Sequence, residues 1–333
     1  MSSTPQLEIL DLRHFSTAQI RPLLQEEASR WQPRLLWDYT SATTLLLDYV
    51  DGRILPGFVA LHSGRVVGYC FCVFEAAKAV IGDVYAFGEG EALANPICET
   101  LLHHLLEMMQ AVPGVDRIES QLLMFPAGAL ASPLLSRGFR SFPRLFMTCD
   151  LTKNLVAPHL GPEPAKDEMW EQLPPHLVLE PWRPQFYDAA AELIQHAYAG
   201  HMDSNINDQY RTVHGAQRFL HNIIRFPGCG IFDGEDSWVL RDARTNALEG
   251  IILCSRVRPD VAHITQLCVR KDLRRLGLGE ALLHHCAAKI SHRGVTMLSL
   301  TVTEANTAAL QLYERNGFTT LHRFEAMIWD KKL

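Results

Sequence analysis

The chain repeats itself. Glu99-Thr100-Leu101-Leu102-His103-His104 is echoed 181 residues on by Glu280-Ala281-Leu282-Leu283-His284-His285. Gly68, in Val66-Val67-Gly68-Tyr69, answers to Gly250 in Leu248-Glu249-Gly250-Ile251, 182 residues on. Arg137-Gly138-Phe139 answers to Asn316-Gly317-Phe318, 179 residues on. One such match arises by chance. An ordered set, drifting by a residue or two, predicts two tandem copies of one fold. A chain of 333 residues has room for two domains, each with its own core. The expected domains are 1–151 and 177–333, opened by the strand-like runs Leu7 to Leu12 and Leu177 to Trp182. Residues 152–176 hold Pro158, Pro162, Pro164, Pro174 and Pro175 among scattered charges, which is a linker composition.

The second copy carries the clearer chemistry. His263 to Val269 reads as a strand with polar residues between β-branched ones. Arg274-Arg275-Leu276-Gly277-Leu278-Gly279 follows, and then Ala281, Leu282, Cys286 and Ile290 recur at helical spacing up to Gly294. Met297 to Val302 alternates as a further strand, and Asn306 to Phe318 reads as a short helix stopped by Gly317. Two glycines let a turn converge its N–H groups, and the helix behind it adds unpaired first-turn amides and a positive dipole end. That combination suits a pyrophosphate. Helical patterns are also expected at 186–199 and 208–224, and strands at 237–243 and 248–257.

These segments resemble the GNAT superfamily of acyl-CoA-dependent N-acetyltransferases in two separate places. One is Arg274-x-x-Gly277-x-Gly279 after a strand ending Leu267-Cys268-Val269; the other is Asn306-x-x-Ala309-x-x-Leu312-Tyr313 followed by Gly317-Phe318. The resemblance implies a mixed α/β (α+β) fold in each copy, a twisted mixed β-sheet with helices on both faces. It implies transfer of an acetyl group from acetyl-CoA to a primary amine of a small molecule or peptide, by direct attack in a ternary complex. It puts backbone groups of Leu267 and Val269 on the pantetheine arm and the amides of Arg275, Leu276, Gly277, Leu278, Gly279 and Glu280 on the pyrophosphate, with charge from Arg274 and Arg275. It makes Tyr313 the acid that protonates the leaving thiolate, and Asn306 a holder of the pantetheine and the local turn. Packing in the core for Tyr313 and plain helix capping for Asn306 are the ordinary alternatives.

The general base is open. Relatives often carry Glu or Asp on the strand before the Gly turn, where this chain has Thr265 and Gln266. His263 is one candidate, since an imidazole titrates near neutrality; its ordinary alternative is a solvated strand end. Loss of the proton through ordered water is another route. Acceptor binding is expected in Gly200 to Arg211, with Asp203 or Asp208 pairing an ammonium and Tyr210 beside them. The competing expectation is that Asn207 or Asp208 caps the next helix.

The first copy differs where the chemistry would be. At the offset of 181, Arg274 becomes Leu93, Gly277 becomes Pro96 and Gly279 becomes Cys98. A donor N–H and a positive charge are gone. Tyr313 and Asn306 fall on Leu134 and Ala127, and the nearby Gly88-Glu89-Gly90 carries an acid that repels phosphate. The first copy is therefore expected to be degenerate.

A net charge of −6 with no dense basic run gives no support for nucleic-acid binding. No apolar run reaches a membrane span and no signal peptide is visible, so a cytoplasmic protein without membrane attachment is expected. The eight cysteines form no Cys-x-x-Cys pair and mostly sit in apolar strand- or helix-like segments, such as Cys70, Cys72, Cys254, Cys268 and Cys286, which fits buried free thiols. His214 and His221 lack a third ligand, and no metal is expected. Monomer and homodimer both remain open. So do two other classes of function, a non-catalytic acyl-CoA sensor and an interaction module for another phosphate ligand.

Overall fold

Each half of the chain runs β-α-α-β-β-β-α-β-α-β, as the repeat predicts. The computed structural model describes residues 7–87, 96–153 and 174–331. The first half holds β1 (Leu7–Asp11), α1 (Thr17–Leu35), α2 (Thr40–Asp51), β2 (Gly57–His62), β3 (Arg65–Glu75), β4 (Lys78–Ala86), α3 (Pro96–Ala111), β5 (Arg117–Gln121), α4 (Ala131–Ser136) and β6 (Arg140–Asp150). The second holds β7 (Leu177–Pro181), α5 (Tyr187–Tyr198), α6 (Val213–Arg225), β8 (Ile231–Asp242), β9 (Leu248–Arg258), β10 (Val261–Val269), α7 (Leu278–His292), β11 (Met297–Thr303), α8 (Thr307–Arg315) and β12 (Thr319–Asp330). Gly88 to Gly90, Leu93 to Asn95 and most of the expected linker lie outside the described residues.

The compact units do not end at the expected boundaries. One runs to Arg144 and resumes at His322; the other spans Leu145–Leu321. The sheet of the first is ordered β1-β2-β3-β4-β5-β12, and that of the second β7-β8-β9-β10-β11-β6. Each unit thus takes its last strand from the other half of the sequence. In the first, Ala326 to Asp330 of β12 lie antiparallel to Arg117 to Gln121 of β5. Both sheets are mixed: four antiparallel strands lead to a fifth that pairs parallel with the fourth.

Alternation along the strands gives the second unit a core on each face. On β9, Ile251 and Leu253 pack with α5 and α6, whereas Ile252 and Cys254 pack with α7 on the other side. A strand buried on both faces reads as a nearly continuous apolar run, and Gly250 to Cys254 is one. The glycine landmarks of the repeat have the same cause in both units. A Cβ added at Gly68 would lie 3.0 Å from Leu101 Cδ1, and one at Gly250 would lie 2.9 Å from Leu282 Cδ1. Both helices, α3 and α7, press a leucine onto the strand where only hydrogen fits.

Two sequence expectations shift. The pattern at 208–224 is a 3-10 turn, Asp208–Arg211, followed by α6, which Thr212 caps by accepting from Gly215 N–H at 2.9 Å. The strand expected from 237 begins at Ile231, with an irregularity between Asp233 and Trp238. Among the described residues no helix is long and apolar enough to cross a membrane.

Candidate active site

The matched register of β10 and β11 ends halfway along both strands. Val261, Ala262, His263 and Ile264 face Met297, Leu298, Ser299 and Leu300, after which β10 continues to Val269 and β11 to Thr303. A bulge at Thr265 starts the divergence, because Ile264 faces Cys254 of β9 and the next paired residue is Gln266, opposite Leu253. Bulges bend and twist the strand that carries them. Beyond it, backbone groups alternate between edges. Arg270 N–H donates to Glu249 C=O at 2.9 Å, so Gln266 and Cys268 also turn toward β9. Leu267 and Val269 turn the other way, to the edge that β11 leaves.

A reversal follows β10. Arg275 has φ +65° and Gly277 φ +80°. Gly277 is the N-cap of α7, and no side chain caps it. The N–H groups of Leu278, Gly279 and Glu280 belong to the first turn and have no intrahelical partner. A Cβ at Gly279 would meet Leu312 Cδ2 at 3.8 Å and Val269 Cγ2 at 3.9 Å, ordinary contact. The side chains depart from expectation. Arg274 donates to the carbonyl of Ala197 at 2.7 Å and faces that of Val269 at 3.5 Å, so its charge ties the turn to α5 rather than standing over it. Arg275 and Leu276 are exposed. Glu280 accepts from Asn316 Nδ2 at 2.9 Å, which draws its carboxylate toward α8.

The segment between α5 and α6 brings polar and aromatic groups to the same unit. Tyr198 stacks on Tyr210 with centroids 4.3 Å apart, and its hydroxyl donates to Gln266 Oε1 at 2.9 Å. Gln266 Oε1 also accepts from Leu267 N–H at 3.2 Å, which fixes the amide orientation and leaves Nε2 buried without a hydrogen bond. Asp203 Oδ1 accepts from Thr303 Oγ1 at 2.5 Å, joining this segment to the end of β11. His201 Nδ1 accepts from Asp203 N–H at 3.2 Å. Burial holds the His201 imidazole below its usual range, against the pull of Asp203. Tyr313 is 8% exposed, packed near Phe318. Burial raises its phenol pKa above the usual value, and Asp203 and then Cys268 add to the rise. The same two residues, with Tyr210 and Tyr313, bear on Tyr198, whose phenol burial also pushes well up. Asp203 thus bears on both Tyr198 and Tyr313, and Tyr210 on Tyr198. Asp208 stands half-buried at the start of its 3-10 turn, which Asn207 caps by accepting from Gln209 N–H at 3.0 Å.

His263 is placed elsewhere. It is 4% exposed, bonds Ser299 Oγ through Nδ1 at 2.9 Å and stacks near Phe146 at 5.6 Å. The solvated strand end expected for it is corrected: it sits where β10 and β11 are still paired. Asn306 holds the local turn, accepting from Ala309 N–H at 3.3 Å as N-cap of α8. Tyr198 and Thr303 were not singled out from sequence; Gln266 was noted only as standing where relatives carry an acid, and His201 only as part of the Gly200 to Arg211 segment. Among the described residues no three His, Cys, Asp or Glu side chains group to hold a metal.

The first unit has a similar parting. Its β4 and β5 are matched only from Lys78/Arg117 to Ile81/Ser120. The residue corresponding to Gln266 is Asp83, a carboxylate, but it is closed off. Tyr69 Oη lies 2.6 Å from Glu27 Oε2 and 3.3 Å from Asp83 Oδ2, and Trp31 Nε1 donates to Glu27 Oε1 at 3.1 Å. Glu27, Tyr69 and Asp83 are all buried. Cys98, at the place of Gly279, is fully buried in α3.

Residues 206–318 match the model of the acetyltransferase (GNAT) family. A stretch of 59 residues is 44% identical to [ribosomal protein bS18]-alanine N-acetyltransferase of Escherichia coli strain K12, covering 18% of this chain and 40% of that protein. The chain thus spans only that 40% of the length of the curated relative it matches. Among solved structures, a GCN5-related N-acetyltransferase from Sphaerobacter thermophilus superposes with TM-score 0.65 at 16% identity, over 98% of this chain and 97% of that one. A tandem GNAT protein from the clavulanic acid biosynthesis pathway does so with TM-score 0.58 at 15% identity, over 98% and 99%. At such identities the likeness speaks for the fold. The second unit of this chain carries a GNAT acetyltransferase domain, and the chain as a whole has the fold of a tandem GNAT protein.

Proposed function

We propose that the chain is an N-acetyltransferase that moves an acetyl group from acetyl-CoA to a primary amine of a small molecule or peptide within a ternary complex. The observation that carries this is the parting of β10 and β11 after Ile264 and Leu300, next to an uncapped helix start. The opened edge offers the Leu267 carbonyl and the Val269 N–H to the amide-rich pantetheine arm, as an added strand would pair, while the Leu267 N–H is held by Gln266 Oε1. The amides from Arg275 to Glu280 take the pyrophosphate, with Arg275 as the exposed cation of the turn. Tyr313 supports protonation of the departing thiolate, because its phenol keeps its proton at neutral pH. Asp203, Asp208 and Tyr210 lie in the segment assigned to the acceptor, which the Tyr198–Tyr210 stack flanks. Asn306 shapes the turn rather than binding with its cap oxygen. The first unit does not bind acyl-CoA.

A second reading, an acyl-CoA sensor without turnover, draws on Gln266 standing where a carboxylate base is common. Release of free thiol from acetyl-CoA decides between them. Amine-dependent release with an alanine-first hexapeptide, glucosamine or an alkyl diamine supports the transferase. Tight acetyl-CoA binding with no release above background for any of the three supports the sensor.

A further inference from the structure

With Thr265 and Gln266 on β10 and His263 buried between paired strands, the opening has no proton acceptor on the strand itself. We infer that Asp203, supplied by the segment between α5 and α6, takes the proton from the acceptor's ammonium; this rests on the acetyltransferase reading above. Its Oδ1 is fixed by Thr303 Oγ1 at 2.5 Å, and Thr303 is the last residue of β11, one wall of the opening. Its Oδ2 lies 3.5 Å from His201 Nδ1. That nitrogen already accepts Asp203's own N–H, so the neutral ring gives Oδ2 no proton. Among the described residues no lysine or arginine pairs with Asp203, although Lys271 and Arg274 both bear on His201; their donors go to the carbonyls of Ala199 and Ala197. The charge of Asp203 also bears on the phenols of Tyr198 and Tyr313, as does the Cys268 thiol. Burial pushes the Cys268 thiol up to about 12 and both Tyr198 and Tyr313 above the usual phenol range, so these stay protonated at neutral pH. Asp203 is thus held at the end of β11, and its charge bears on the Tyr313 phenol.

The protons balance. The ammonium gives one proton to Asp203 Oδ2, and the freed nitrogen pair bonds the thioester carbonyl carbon as the C=O pair moves onto oxygen. Collapse breaks the C–S bond; the sulfur leaves with its pair and takes the Tyr313 phenolic proton. The second nitrogen proton returns to Tyr313, and Asp203 releases its proton to water. The products are an amide, CoA thiol and one proton.

Asp203→Asn tests this in the full chain, because an amide oxygen can still accept from Thr303. The expected result is a fall in kcat of about 100-fold at pH 7 with whichever of the three amines the wild type uses. The residual rate should climb about tenfold per pH unit toward the amine's own pKa, as solution supplies the free base. Acetyl-CoA affinity and thermal midpoint should stay at wild-type values, and Asp203→Glu should recover part of kcat. A raised KM with unchanged kcat and pH profile would make Asp203 a binding group and overturn the assignment. Loss of acetyl-CoA affinity together with a lowered midpoint would make it structural and overturn the assignment equally. A wild-type chain that binds acetyl-CoA but acetylates none of the amines would overturn the transferase reading and this one together.

Discussion

Ile264 and Leu300 are the last matched pair between β10 and β11, and the chemistry assigned to this chain begins one residue beyond them. The bulge at Thr265 turns β10 away while its hydroxyl holds Leu253 C=O at 3.1 Å, so the strand bends without leaving β9. Parallel strands that part in mid-sheet expose backbone donors and acceptors that must otherwise be satisfied. A ligand with amides of its own satisfies them.

Gly279 separates binding from folding. An added Cβ meets only ordinary contacts, and alanine is favoured over glycine in a helix by up to about 1 kcal/mol. Gly279→Ala should therefore hold or slightly raise the thermal midpoint while weakening acetyl-CoA binding at least tenfold. Unchanged affinity in a calorimetric titration would remove this amide from the pyrophosphate site.

The two arginines of the turn should behave differently. Arg274→Ala removes the tie to the Ala197 carbonyl, so the midpoint should drop while affinity changes little. Arg275→Ala should leave the midpoint in place and lower acetyl-CoA affinity, with a weaker dependence on salt than the wild type shows. Thermal scans and titrations at two ionic strengths read both effects, and a reversed pattern would reassign the charges.

Tyr313→Phe keeps the ring that packs near Phe318 and removes the proton. Expected is a loss of about 100-fold in kcat with acetyl-CoA affinity retained. Because burial lifts this phenol above its usual pKa, the wild type should show no alkaline loss of kcat from Tyr313 up to about pH 10. An alkaline limb near pH 8 that disappears in the phenylalanine variant would contradict the assignment.

The Glu27–Asp83 pair predicts a pH dependence of stability in the first unit. Burial raises both carboxyls above their usual range, and each faces the other. The folded state then binds more protons than the unfolded one, so stability is fullest below the ordinary carboxyl range and declines as pH rises through the raised values. Glu27→Gln keeps an acceptor for Trp31 and removes one charge. Its midpoint should exceed the wild type's by a margin that widens from pH 5 to pH 9. Parallel curves would mean that the pair does not share a proton.

Much of the fold was legible because the repeat is periodic and its glycines have a packing cause: Gly68 and Gly250 recur where Leu101 and Leu282 press on a strand. The final strands were not. Each follows an equivalent Gly-Phe stop, at Gly138-Phe139 and Gly317-Phe318, so local pattern gives β6 and β12 no reason to prefer one sheet over the other. In the candidate site, the family resemblance singled out the turn and Tyr313 but could not say where side chains go. Arg274 reads as charge for a phosphate until Ala197 C=O is seen within its reach, and His263 reads as exposed until Ser299 and Phe146 enclose it. The bond from Thr303 to Asp203 joins residues 100 apart in sequence, and no local signal announces it.

The most direct measurement is a calorimetric titration of acetyl-CoA into the full chain, with Gly277→Pro alongside. Proline cannot adopt the φ of +80° that this residue holds at the start of α7. One site per chain, lost in the variant while the rest of the chain stays folded by circular dichroism, is the predicted result. Binding that survives Gly277→Pro, or no binding at all, would contradict an acetyl-CoA site built on the opening between β10 and β11, and two sites per chain would contradict a first unit that does not bind.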